Sequence, residues 1–277
     1  MSQRNITYMA ARSSYLAELS ETRNDFFSSV TQWRLALSLA LHDIASRYRG
    51  SILGPWWITL TMGALVLGIG INYAALFHVA VATLLPYVAI GIVMWGYINS
   101  CIVEGGDAFI SGGAMLRQSA LPLPLFLLRC LLRNMINLGH HLIIILAVML
   151  YFGKLPTLGI LWSISGFLLT SLNIGWVMVL VAFLSARFRD VPQIISAVLQ
   201  IAFFLTPVIW QATPQLSESI VVKYNPLHYS LDAIRAPLLG DHLPAGDYVV
   251  LGISALIGWV LAVIVYNFTR RRVVHYL

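Results

Sequence analysis

Six stretches of the chain carry no Asp, Glu, Lys or Arg: Trp56–Phe77, Leu84–Val103, Asn134–Phe152, Gly159–Ser185, Gln193–Trp210 and Tyr248–Phe268. Each has 17 or more residues. About 20 helical residues cross a hydrocarbon core of about 30 Å, so all six are long enough to span a bilayer, the fifth only just. The spans must be helical, because lipid offers no partner to backbone N–H and C=O groups. The pattern predicts an all-α integral membrane protein with six transmembrane helices over 51–277.

Ahead of the first run, Val30, Trp33, Leu37, Leu41, Ile44 and Tyr48 recur at spacings of three and four. They share one helical face, with Arg34, Arg47 and Arg49 off its centre. This predicts an amphipathic helix over 28–50 in the membrane interface, following a cytoplasmic tail over 1–27. A helix packed on a partner protein fits the same spacing, and Leu35 and Leu39 fall outside the stripe. Between Arg49 and Trp56-Trp57, glycines punctuate a turn where a surface helix would bend into the bilayer. Arginine and tryptophan suit the headgroup level there.

Charge and composition sharpen the picture. Hydrophobic residues make up 59% of the 277 positions and charged residues 10%, against about 25% charged in a soluble domain. A net charge of +6 could suit nucleic acid, but the charges lie between apolar runs, as topology signals do. With both termini in the cytoplasm, the inside segments hold Arg4, Arg12, Arg23, Arg34, Arg47, Arg49, Arg117, Arg129, Arg133, Arg187, Arg189, Arg270, Arg271 and Arg272. Lys154, Lys223 and Arg235 remain outside, so 14 of the 17 basic residues face inward, as the positive-inside rule favours. Cys101 and Cys130 form neither a metal spacing nor a disulfide framework. The polar N-terminal stretch predicts no cleavable signal peptide.

The connections are unequal. His78–Thr83 is short and makes the first two spans a hairpin, whereas the inner segment 104–133 is long. The outer segment 211–247, with Pro214, Pro226, Pro237 and Pro244, is too long for a simple turn and predicts short helices re-entering the membrane.

Candidate chemistry is sparse. The only lysines precede Leu155 and Tyr224, so the Gly-Lys-Ser/Thr of a Walker A loop is missing and ATP-driven work requires another polypeptide. No carboxylate lies inside a span, which argues against a self-sufficient ion-coupled carrier. His140 and His141 form a proton relay in one reading, and neutral groups bonded to a neighbouring helix in the other. Tyr73, Phe77, Trp95, Tyr97, Phe203 and Phe204 could stack on sugar faces along a channel, or pack between helices. Gly63, Gly68, Gly70, Gly91 and Gly96 permit close helix approach.

Four motifs bring these signals together: Arg47–Trp57, Leu184–Val191 (Leu-Ser-Ala-Arg-Phe-Arg-Asp-Val), Thr206–Trp210 (Thr-Pro-Val-Ile-Trp), and Asn225-Pro226-Leu227 followed by Arg235. In order and spacing the chain resembles the membrane-spanning permease of type-two ABC exporters, in particular the branch that moves O-antigen, capsule and teichoic-acid polymers. The resemblance implies six spans, an interfacial N-terminal helix and re-entrant outer helices closing the exit. It also implies a homodimer with its pore at the subunit interface, in the bacterial cytoplasmic membrane. Two separate ATPase subunits would bind the ATP and Mg; this chain would hold no cofactor and no nucleic acid. A coupling helix would lie within 104–124, with Glu104, Asp107, Arg117 and Gln118 docking the ATPase. Pro207, Asn225, Pro226 and Arg235 would form the outer gate. Arg47 and Arg49 would meet the pyrophosphate of a lipid-linked glycan, since arginine pairs its donors with phosphate oxygens; inside anchoring explains them too. One departure is Arg117-Gln118-Ser119-Ala120-Leu121-Pro122, where relatives carry a basic pair before an aromatic-proline step. A drug- or lipid-exporting permease is the principal alternative, followed by a channel or secondary carrier.

Overall fold

The computed structural model describes residues 15–119, 121–154, 158–211, 219–241 and 243–276. These fold into helices α1 (Tyr15–Thr31), α2 (Trp33–Arg47), α3 (Trp56–Leu76), α4 (Val81–Ser111), α5 (Gly113–Gln118), α6 (Leu123–Tyr151), α7 (Gly159–Arg187), α8 (Val191–Leu205), α9 (Ile220–Lys223), α10 (Pro226–Leu239) and α11 (Ala245–Tyr276). Five of them, α3, α4, α6, α7 and α11, are long and apolar enough to cross a membrane. The protein is all-helical among the described residues and passes the membrane several times.

The fifth apolar run differs from expectation. Its helix α8 stops at Leu205, and 15 residues rise only about 22 Å. Pro207 disfavours helical geometry at the residue before it, and Thr206 is accordingly extended, with ψ 138°. Val208 and Ile209 continue as buried, non-helical backbone. The run expected over Gln193–Trp210 is therefore a short helix followed by an irregular plug.

The amphipathic segment also differs. It is two helices that meet at Gln32, and α1 occupies residues expected to form a tail. One face of α1 carries Glu18, Glu21 and Asp25 and packs on the end of α11. There Arg270 pairs with Glu21 and Asp25, Arg271 lies 3.7 Å from Glu18, and the Tyr266 hydroxyl donates to Asp25 at 2.8 Å. Arg271 and then Arg270 hold the Glu21 carboxyl below the usual carboxylate range through direct hydrogen bonds. The buried face of α2 is Ala36, Ala40 and Ile44, whose small side chains let it lie close to α6. Trp33 and Leu41 of the expected interfacial stripe face outward from the bundle. The chain then turns through Gly50 and Gly54, both at positive φ, and Pro55 leads into α3.

Helix α4 is the central mast, buried along most of its length against α3, α6, α7, α8 and α10. Its Gly91 faces the irregular plug, where a Cβ would run into the Val208 carbonyl oxygen. Gly105 and Gly106 accept Met178 and Val181 of α7 in the same way. Gly68 on α3, by contrast, looks onto open space. Gly91→Val is expected to destabilise the purified protein by roughly 1–3 kcal/mol through overpacking. Gly68→Ala is expected to leave it unchanged or stabilise it by up to about 1 kcal/mol. Thermal unfolding in detergent distinguishes the two, and equal effects would show that Gly91 is not a contact point.

Candidate functional site

Two clusters of polar groups sit at opposite ends of the bundle. The first gathers around the irregular plug. Asn225 caps α10 by accepting from the Leu227 N–H at 3.0 Å, and its side-chain amide donates to Thr206 Oγ1 at 2.8 Å. Pro226 occupies the first turn of α10, where its missing N–H costs nothing. Ten residues after Asn225, Arg235 is 2% exposed. It donates to the Pro207 carbonyl at 2.8 Å and lies 3.7 Å above the Tyr87 ring. The Tyr87 hydroxyl is itself within hydrogen-bond reach of the Pro207 and Trp210 carbonyls, at 3.2 and 3.1 Å. Asp232, one turn before Arg235, lies 3.8 Å from its guanidinium.

The sequence marks why α10 can press so closely on α7. Gly159 and Gly166 leave room for the Pro237 and Ala233 carbonyls. Ser163 and Thr170 donate to the Ile234 and Ser230 carbonyls at 2.8 and 3.3 Å. These contacts run antiparallel, so the start of α10 lies level with Thr170, well along α7. All four expected gate residues, Pro207, Asn225, Pro226 and Arg235, thus meet in one assembly. Tyr87, an unassigned span aromatic by sequence, is its fifth member; its position one turn before Gly91 on the plug-facing side of α4 was the available signal.

The second cluster lies at the arginine-rich end and links three helices. Asp43 of α2 accepts from both Arg129 Nε and Arg133 of α6, each at 2.8 Å. Arg133 also donates to Glu104 of α4 at 2.8 Å, as does Asn134. Glu104 faces Arg47, one turn after Asp43 on α2, at 3.8 Å. Burial pushes the Asp43 carboxyl up, but Arg129 and then Arg133 outweigh it and hold it below the usual carboxylate range. Glu104, expected to dock a partner, is engaged in this ring. Asp107, Arg117 and Gln118, farther along α4 and on α5, stand at the surface. Arg49 is exposed beside the ring, and Arg47 lies at its edge. Asp43 is the single acid in the leucine-rich α2, a signal readable in sequence and not taken up.

The six channel aromatics separate. Tyr97 is buried, hydrogen-bonded to Ser171 at 3.0 Å and packed on Phe167, so it belongs to the interior of one chain rather than to a channel wall. Trp95 is also buried, with its ring edge-on to Phe203. Tyr73 packs on Phe77, while Phe77 and Phe204 are exposed. His140 bonds to the Ile136 carbonyl of its own helix, while His141 bonds to the backbone of Ile58 on the neighbouring helix α3. Among the described residues no group of three or more His, Cys, Asp and Glu is placed to hold a metal ion.

No family model matches the chain. It is 24% identical over 240 residues to the O-antigen export system permease protein RfbA of Myxococcus xanthus, covering 81% of this chain and 88% of that one. Two Klebsiella pneumoniae proteins of the same description are each 20% identical, over 229 and 225 residues, with 80% of this chain and 85% of theirs covered. This chain resembles the permease subunit of a polysaccharide exporter. The likeness extends along most of both partners' lengths, as the four motifs imply, and it suits a transport subunit that passes the membrane several times.

Two outcomes follow from the geometry of this permease-like chain. Arg235→Ala removes the donor to the buried Pro207 carbonyl and the cation on the Tyr87 ring, an expected loss of roughly 1–3 kcal/mol; Arg235→Lys, which keeps the charge, recovers part of it in thermal unfolding. Asp43→Asn is expected to cost roughly 1–3 kcal/mol at neutral pH. Because the folded-state pKa is depressed, the Asp43 contribution is present above the unfolded carboxylate range near 4 and drains as pH falls through the folded value. Wild type and Asp43→Asn should therefore converge in stability in acid. A constant gap from pH 7 to pH 3 would show that Asp43 is not ionised in the ring.

Proposed function

We propose that this chain is the membrane-spanning subunit of an ATP-driven exporter of lipid-linked polysaccharide of the O-antigen or capsule type. It works as a homodimer in the bacterial cytoplasmic membrane, with both termini in the cytoplasm and two copies of a cytosolic ABC ATPase that bind ATP and Mg. The observation that carries this reading is the convergence of the third and fourth motifs, separate in sequence, on one contact between Arg235 and the Pro207 carbonyl. In a permease, such a plug of non-helical backbone, pinned by a re-entrant α10, is suited to close an exit and to open as a unit.

The reading assigns roles to the other residues. Asp107, Arg117 and Gln118 present polar groups beside α5 for the ATPase. Movement there reaches α2 and α6 through Glu104, Arg133, Asp43 and Arg47, because those charges are bonded in series. Arg47 and Arg49 offer donors to the glycan pyrophosphate. Phe77 and Phe204, with Tyr73, Trp95 and Phe203 behind them, supply ring faces for sugars as the passage between subunits widens.

The double substitution Arg47→Ala with Arg49→Ala tests the substrate role. Export should be abolished and lipid-linked polymer should accumulate inside the cell, while membrane insertion and co-purification of the ATPase persist. Unchanged surface polysaccharide would remove the arginines from the substrate path. For the reading as a whole, deletion of the gene should cause the same accumulation, and transport by the purified chain down an ion gradient would overturn it.

A further inference from the structure

The face of α1 turned away from its acidic residues borders an apolar groove that the export reading does not use. Leu19, Arg23, Phe26 and Val30 follow one another at helical spacing along that face. Between α1, α6, α7 and α11 lies a cavity of about 270 Å³, walled by Phe26, Val30, Gly175 and Trp259 among others. It continues into a groove of about 570 Å³ along α1 and α11, which shares Phe26, Val30 and Trp259 and ends at Leu19, Arg23 and Val263.

The walls are preformed. The Trp259 indole N–H donates to the Leu172 carbonyl at 3.1 Å, and the Phe26 ring stands edge-on to the Trp259 ring at 5.8 Å. Gly175 keeps the floor open, since a Cβ there would approach Trp259 to 2.9 Å. The medium that reaches the groove is hydrocarbon, because Trp259 and Val263 lie within the uncharged stretch of α11. At its other end, the carboxylates Glu18, Glu21 and Asp25 are engaged by Arg270 and Arg271 on the opposite side of α1. Arg23 is exposed at the groove rim.

We propose that this groove seats an acyl chain of an anionic glycerophospholipid of the bilayer, with the lipid phosphate on Arg23. The apolar walls take the chain by burying it against rigid aromatic surface. The guanidinium, reaching from an apolar helix face to the headgroup level, supplies paired donors to phosphate oxygens. Basic residues close to a membrane surface favour anionic lipid over zwitterionic. The bound lipid wedges between α1 and α11, beside the Glu21–Arg270 clasp, and is distinct from any exported glycan.

Full-length protein, gently solubilised and then delipidated, is titrated with phosphatidylglycerol or phosphatidylcholine and read by native mass spectrometry and thermal unfolding. Wild type should retain phosphatidylglycerol in preference and melt at higher temperature with it. Arg23→Gln should lower that retention roughly fivefold, while Arg23→Lys keeps most of it. Val30→Trp, at an exposed position that blocks the groove, should lose both lipids while its lipid-free melting temperature stays at the wild-type value. Equal retention of the two lipids by wild type, or undiminished retention by Arg23→Gln, would overturn the proposal. So would recovery of a polyprenyl phosphate or a peptide, in place of a glycerophospholipid, from the gently solubilised protein.

Discussion

Buried backbone that is not helical must find hydrogen-bond partners within the protein when it lies at membrane depth. The segment Thr206–Trp210 meets that demand with Arg235 and Tyr87, whose donors converge on the Pro207 and Trp210 carbonyls. The arrangement at this end of the bundle follows from it. Helix α10 must lie deep enough to deliver Arg235, which requires glycine, serine and threonine on the facing side of α7. Helix α4 must carry glycine at 91, or the plug could not approach it.

A buried guanidinium is costly to desolvate and stays charged. Its neighbours here are an aromatic face, a carbonyl and a carboxylate at 3.8 Å. Such a contact is weak evidence for stability but strong evidence for a specified geometry, since few other positions of α10 satisfy the charge. Opening the plug would require Arg235 and Tyr87 to exchange partners together.

The opposite end solves a different problem. There the chain carries most of its arginines, and ion pairs with Asp43, Glu104, Glu21 and Asp25 convert several of them from topology signals into cross-links. The ring through α2, α4 and α6 ties the first amphipathic segment to the turn around α5. The α1–α11 clasp ties the beginning of the described chain to its end. One end is thus centred on a buried cation and a tyrosine that share the Pro207 carbonyl, the other on a distributed set of partly exposed pairs.

Most of the spans were legible because uncharged runs of membrane length have few alternatives, and the third and fourth motifs marked the Arg235 cluster because their residue types are unusual in such runs. Pairing was not legible. Asp43 reads as a lone acid until α6 brings Arg129 and Arg133 beside it, and Glu104 reads as a free surface group until Arg133 takes it. Tyr97 and Phe204 both read as span aromatics, yet one is enclosed and the other exposed, because helix rotation about its own axis depends on packing. Likewise the inward face of α2 was not legible: the small Ala36 and Ala40 lie buried against the bundle, while Val30, Trp33 and Leu41 of the expected interfacial stripe stand exposed. The order of apolar and polar residues determined the class of protein and its passage through the membrane. Which polar atoms meet was decided only by tertiary structure, because hydrogen bonds and ion pairs act over a few ångströms between residues up to hundreds of positions apart.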